Sequence, residues 1–246
     1  MEKKQLKVRD IAKMIDHSLL RPDMTIAEIR EGCRIAKTYD VATVCVKPSE
    51  MDICIEELKG TDVLVTTVIG FPHGGSTTAV KVFEATEAIQ AGAAELDMVL
   101  NIGRLVSGDF AYVEKDIRAV VAVAHARGII VKVILENAYL SDDLKEVACR
   151  ICDKAGADFV KTSTGYAKSG ATIPDLQLMR KSCSSRVRVK AAGGVRTLDN
   201  ALAVRAVGTA RFGATATKVI LDEAAQREAA GTLFEADGAQ ELKQGY

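Results

Sequence analysis

The sequence predicts an α/β protein built as one (β/α)8 TIM barrel, and three observations carry that prediction. Eight short runs rich in β-branched residues recur with starts about 22 to 35 residues apart, the length of a strand with its crossover helix. Several runs are apolar on both alternations, as parallel strands covered on both faces must be. No Pro/Gly/Ser-rich linker or charge run divides the 246 residues, so residues 1–246 are read as one domain. The rival, an open doubly wound sheet, normally carries a GxGxxG turn after its first strand, and that fingerprint is absent.

Taken in order, the first strand is expected at 14–20. Thr25 and Glu28 then form a capping box that opens a helix running toward Asp40. Strands follow at 41–46 and 63–69. Thr77 or Thr78 opens a helix that stops at Gly92. The fourth strand, 94–100, leads into a helical run ending at His125, and the fifth lies at 129–135. Ser141 caps a helix through Lys154, with Gly156 just past its end. Strands at 158–162, 186–191 and 209–213 complete the set, and Thr197 caps a helix ending near Gly208. Seven or eight helices are expected in all. Residues 225–246 are read as a C-terminal helix and flexible tail.

Composition narrows the function. Lys and Arg total 33 and Asp and Glu total 33, so there is no basic footprint for nucleic acid. The longest nearly apolar run, 63–71, is far short of the ~18 residues of a membrane span. No apolar segment follows Met1, so no secretory signal is expected. Six cysteines are too sparse for a disulfide framework, and the expected compartment is the reducing cytoplasm.

In a barrel, chemistry gathers at the C-terminal ends of the strands. Lys132, Lys161, Lys190 and Asp97 all sit inside strand runs, where charged residues are rare unless paired. One reading is a buried ion network; the other is a reactive site. Lys161 and Lys190 each precede a glycine-containing loop. Burial and mutual repulsion lower a lysine's pKa, and a neutral amine attacks carbonyls. The expectation is that Lys190 and burial keep Lys161 neutral, with Asp97 either moving a proton through a water or stabilising the charged neighbour. For Lys132, an ion pair with Asp97 or Glu95 and a chemical role are both open. Gly193 and Gly194 follow one strand, and Gly213, Ala214 and Thr215 follow the next. Both segments precede helices, where backbone N–H groups hold a phosphate. The hydroxyls of Thr215 and Thr217 would add donors there, whereas Lys218 reads as a solvated helix lysine.

The segments DHSLL (16–20), VCV (44–46), VIGFP (68–72), ELDMV (95–99), KVI (132–134), KTSTG (161–165) and VKAAGGV (189–195) resemble the deoxyribose-phosphate aldolase family, in order over about residues 9 to 224. The resemblance implies a class I, metal-free and cofactor-free lyase on a (β/α)8 barrel. It implies reversible cleavage of 2-deoxy-D-ribose 5-phosphate to acetaldehyde and D-glyceraldehyde 3-phosphate, with the C3–C4 bond expected to break. By motif, Lys161 matches the Schiff-base lysine, Lys190 the lysine that tunes it, and Asp97 the proton-transfer carboxylate. Asp16 and Lys132 match polar pocket residues. Gly165, Gly193, Gly194, Gly213 and Thr215 match the sugar-phosphate loops. A sugar phosphate is then the only small-molecule partner expected, and barrels of this kind often form homodimers. Three departures bear on substrate preference: Ala214-Thr215 after the last strand, Asn137 where Thr is frequent, and Lys168 in a loop of usually small residues.

Other signals are discounted. Cys149 and Cys152 form a CxxC in mid-helix without a second pair. His17, His73 and His125 show no metal-ligand spacing. Cys45 reads as core packing, and Glu136 as a polar group at the barrel rim. Tyr246, on the terminal tail, is a candidate to reach the site mouth and assist proton transfer.

Overall fold

Parallel strands in pure β–α alternation can bury both faces only by closing or by stacking helices on each side. This chain closes. The computed structural model describes residues 4–236 and 242. The strands are β1 (Ile15–Leu19), β2 (Thr43–Val46), β3 (Leu64–Ile69), β4 (Glu95–Val99), β5 (Ile130–Ile134), β6 (Phe159–Lys161), β7 (Arg188–Ala192) and β8 (Arg211–Ala214). They pair in sequence order, all parallel, and β8 returns to β1. Between and around them lie α1 (Val8–Ala12), α2 (Ile26–Thr38), α3 (Met51–Leu58), α4 (Thr78–Gln90), α5 (Ile102–Val106), α6 (Phe110–His125), α7 (Asp142–Ala155), α8 (Ile173–Ser182), α9 (Leu198–Ala206) and α10 (Thr217–Ala229).

The local signals behave as their chemistry demands. Thr25 and Glu28 close a reciprocal capping box on α2. Thr77, Ser141 and Thr197 each accept a backbone N–H at the start of α4, α7 and α9. Gly156 ends α7 at φ 94°, a left-handed turn suited to glycine. Strand limits differ from expectation by one or two residues. The sixth strand is three residues long; Thr162 still donates its amide to the Lys190 carbonyl, and beyond it the Thr164 amide turns to Glu136.

Two expectations need correction. Ten α-helices stand among the described residues, more than the seven or eight expected. The five-residue α1 and α5 are too short for a periodic pattern to reveal. The division at residue 225 cuts through the middle of α10. Beyond α10 the chain is also anchored: the Leu6 amide donates to the Leu233 carbonyl at 2.9 Å, and both side chains are buried. Tyr246 lies outside the described residues.

Alternation sorts each strand into two environments. Outward residues such as Leu96, Val131, Val133, Val160, Val189 and Phe212 pack against the helices and form the apolar core. Inward residues include Asp16, Glu95, Asp97, Lys132, Lys161, Lys190 and Arg211, all in the barrel interior. A second buried ion pair lies in the helical layer. Lys81 of α4 donates to Asp116 of α6 at 2.6 Å and to the Val99 carbonyl at the end of β4 at 3.0 Å, with both side chains fully buried. It ties two helices to the strand that carries Asp97. Lys81→Met is expected to leave Asp116 uncompensated and to cost about 3 kcal/mol in denaturant unfolding, since removing one partner of a buried pair strands the other charge.

Candidate active site

The interior side chains meet because the strand register aligns them. Asp97 lies opposite Lys132, Lys161 opposite Lys190, and Lys190 opposite Arg211. Lys161 and Lys190 both donate to one oxygen of Asp97, Oδ2, each at 2.7 Å. Lys132 takes Asp97 Oδ1 at 2.9 Å, Glu95 at 2.5 Å and Asp16 at 3.3 Å. Lys190 also contacts Asp16, and Arg211 bridges Asp16 and Glu95. The cluster therefore has four cationic side chains against three carboxylates.

This balance sets the protonation states. Burial opposes the charge of Asp97, but Lys132, Lys161 and Lys190 outweigh it and hold the carboxyl well below the usual range. Asp16 is held down in the same way by Lys132, Lys190 and Arg211. For Lys132, burial is outweighed by Asp16, Asp97 and Glu95, which keep it charged. Lys190 is the cation whose pKa falls: burial, reinforced by Lys132 and Lys161, exceeds the pull of Asp16 and Asp97. Lys161 behaves otherwise than expected from two converging lysines. Burial opposes its charge, yet Asp97, interposed between the amines, raises its pKa. Of the two cavity lysines, Lys190 is thus the one whose proton is the more readily lost.

Above the cluster opens a cavity of about 280 Å³ lined by Asp16, Lys161, Lys190, Gly165, Gly193, Gly194, Gly213 and Thr215. Asp97 lies directly beneath the lysines without lining it, and Lys132 also does not reach it. Lys132 is locked among three carboxylates, the ion-pair alternative of the two weighed from sequence. At the far end, Gly193 and Gly194 have successive positive φ of 79° and 92°. A Cβ on Gly170 would strike the Gly193 backbone at 2.6 Å, so the β6–α8 and β7–α9 loops touch. The start of α10 beside Thr215 has no side-chain cap. An uncapped helix start and the bare Gly193-Gly194 turn are suited to seat an anion, and Arg196 lines the same cavity.

Sequence reading missed several wall residues. Arg196 follows the glycine pair directly; Arg211, also missed, belongs to the ion cluster rather than the wall and is a charged residue in a strand run, the very signal used for Lys132. Cys45 was expected in the core. It is buried but lines the cavity, and burial, followed by Asp97, pushes its thiol up to about 11. Thr164 and Tyr166 line the mouth. The Tyr166 hydroxyl donates to the Leu20 carbonyl at 2.6 Å, and its ring meets Phe71 edge-on. Other candidates fall elsewhere. His17 faces the helical layer against Thr217, and burial lowers it to about 4. Lys218 pairs with Asp222 at the surface. Asn137 is buried and donates to Asp175, away from the cavity. Cys149 and Cys152 are buried in α7.

A family model described as DeoC/LacD family aldolase matches residues 11–220. A deoxyribose-phosphate aldolase of Caldanaerobacter subterraneus subsp. tengcongensis is 50% identical over 224 residues, covering 91% of this chain and 97% of that protein. One from Thermoanaerobacter sp. is 51% identical over 215 residues, covering 87% and 96%. Among solved structures, the tetrameric deoxyribose phosphate aldolase of Aeropyrum pernix superposes with a TM-score of 0.82 at 29% identity, covering 88% of this chain and 92% of that one.

The anion seat yields its own prediction. Inorganic phosphate is expected to raise the thermal midpoint by mass action, by about 2.7 kcal/mol of stability at a hundredfold excess over Kd. Arg196→Ala is expected to weaken that response about tenfold, read by calorimetry.

Proposed function

Since this chain belongs to the DeoC/LacD family of aldolases, we propose that it reversibly cleaves 2-deoxy-D-ribose 5-phosphate to acetaldehyde and D-glyceraldehyde 3-phosphate through a lysine Schiff base. One observation carries this reading: two buried lysines share a single carboxylate oxygen at the floor of a cavity that ends in an anion seat.

Lys161 is the better nucleophile of the pair. Lys190 is held by both Asp16 and Asp97, whereas Asp97 is the sole carboxylate on Lys161 among the described residues. Lys161 therefore has more directions free for a carbonyl. With the phosphate on the Gly193-Gly194 turn and the start of α10, the open-chain aldehyde extends toward the lysines. A proton moves from Lys161 through Asp97 to Lys190. The freed amine adds to C1, giving a carbinolamine. Loss of water, its oxygen protonated by Lys190, gives the iminium.

Carbon bookkeeping corrects the expected bond. An iminium at C1 accepts the electron pair of the bond beginning at the next carbon, so C2–C3 breaks, not C3–C4. Only that cleavage divides five carbons into a two-carbon aldehyde and a three-carbon phosphate. The C3 hydroxyl yields its proton to the Lys190 amine, left neutral by the dehydration, as it becomes the aldehyde of glyceraldehyde 3-phosphate. The remaining enamine is protonated at C2, with Lys190 and Asp97 serving the path, and hydrolysis frees acetaldehyde and Lys161. These steps use only the chain's own side chains, so the reading includes no cofactor or metal.

The cytoplasm is the compartment that suits this reading, supported by six free cysteines; no helix among the described residues is long and apolar enough to cross a membrane. A homodimer is the assembly proposed with it.

Borohydride reduction in the presence of deoxyribose 5-phosphate, followed by peptide mass mapping, is expected to place a reduced adduct on Lys161. An adduct on Lys190 would overturn the assignment, and no adduct on ligand-bound protein would overturn the Schiff base. The pH dependence follows from the sign of the Lys190 shift. Below its lowered pKa both lysines are ammonium and no amine is available; above it the pair has one proton fewer. Accordingly kcat/KM is expected to fall with slope one on the acid side, and a profile flat down to pH 4 would contradict the mechanism.

A further inference from the structure

Glu136 is a buried acid that the mechanism does not use. It follows β5 in left-handed backbone, φ 57° and ψ 65°, a conformation that side chains other than glycine rarely adopt. It has no cationic partner among the described residues. Strained backbone and a buried carboxylate at one position point to a constraint imposed by something nearby. That neighbour is Thr164, three residues beyond Lys161 on the cavity wall.

The Thr164 amide donates to both carboxylate oxygens of Glu136, at 3.2 and 3.3 Å, and the Thr164 hydroxyl donates to Oε2. The same hydroxyl accepts the Tyr166 amide at 3.0 Å. A hydroxyl has one proton and two lone pairs. Glu136 takes the proton and Tyr166 one lone pair, so a single lone pair is left for the cavity. Burial pushes the Glu136 carboxyl up, and the Thr164 donors and the charge of Lys161 offset only part of that rise.

We propose that Glu136 is a positioning residue: by consuming the Thr164 proton it makes Thr164 an acceptor-only group, which selects substrates that present a hydroxyl donor between the carbonyl and the phosphate. The inference rests on the aldolase reading and sharpens its specificity. Thr164 stands between Lys161, which takes C1, and the loop that contacts the phosphate turn. The C3 oxygen exchanges its proton with the lysine side of the cavity. The C4 hydroxyl, one carbon nearer the phosphate, is the donor left for Thr164. In the synthetic direction this group is the hydroxyl beside the aldehyde of glyceraldehyde 3-phosphate.

The test compares two acceptors with acetaldehyde as donor: D-glyceraldehyde 3-phosphate, and 3-oxopropyl phosphate, which lacks that hydroxyl. The wild type is expected to prefer the hydroxylated acceptor about tenfold in kcat/KM, the worth of one hydrogen bond. In Glu136→Gln the amide oxygen is claimed by the Thr164 N–H and the NH2 faces the hydroxyl. The Thr164 proton is then turned into the cavity. The C4 hydroxyl, which both donates and accepts, must then turn to accept, so the preference is expected to fall to about threefold, through KM for glyceraldehyde 3-phosphate, rather than vanish. Thr164→Val, which offers no hydrogen bond, is expected to bring the two acceptors to near parity and Thr164→Ser to keep the preference, which isolates the Thr164 contact even if Glu136→Gln does not fold. Borohydride trapping of acetaldehyde on Lys161 is expected to be unchanged in each variant. If the variants trap acetaldehyde and retain the preference, or lose both acceptors equally, the inference is wrong. A wild type that turns over neither acceptor sinks the aldolase reading, and this inference with it.

Discussion

Asp97 is the carboxylate around which the barrel interior is organised. Three ammonium groups converge on it, and each would cost several kcal/mol to bury alone. Glu95 and Asp16 complete the compensation for Lys132, Lys190 and Arg211, but only Asp97 touches both cavity lysines. With four cations against three anions, one positive charge is surplus. A surplus charge inside a low-dielectric barrel favours release of a proton, and burial with repulsion from Lys132 and Lys161 makes Lys190 the group whose pKa falls. The chemical capacity of the site thus follows from an imbalance built into the ion network. The apolar layer between strands and helices supplies the stability that this costs, and Lys81 and Asp116 fasten that layer to β4.

The second constraint is distance. A nucleophile acts only if the carbonyl is delivered to it, and the phosphate end of the substrate does the delivering. Here the loops that hold the two ends are joined. The Ala171 amide donates to the Ala192 carbonyl at 3.0 Å and the Gly193 carbonyl at 3.1 Å. The Thr162 hydroxyl bonds to both the amide and the carbonyl of Ala192. The glycine turn and the end of the Lys161 strand are therefore tied together by hydrogen bonds. Thr164, bonded to Glu136, lines the same cavity.

Much of this was legible in order along the chain. The strands announced themselves as runs apolar on both alternations, which only a sheet covered on both faces requires. Caps at Thr25, Thr77, Ser141 and Thr197 acted locally, so their hydrogen bonds needed no tertiary knowledge. Lys161, Lys190 and Asp97 stood out because a charge inside a strand must be explained. Arg211 had the same signal and was overlooked beside the glycine turn that follows it. Cys45 and Thr164 carry no such anomaly: a cysteine or threonine in a strand or loop looks alike whether it faces a core or a cavity.

What sequence alone determined was the alternation of strands and helices, the closure into one barrel, and the identity of the buried charges, because each rests on local periodicity or on a residue type out of place. Which charge faces which was decided only by tertiary structure. The stagger of eight strands put one oxygen of Asp97 between Lys161 and Lys190, raising the first and lowering the second. It also sank Lys132 below the cavity and aimed Glu136 at Thr164. Such outcomes depend on distances of a few ångströms between residues far apart in sequence, such as Lys190 and Asp97, 93 positions apart, and electrostatic energy at that range is set by geometry that no single segment encodes.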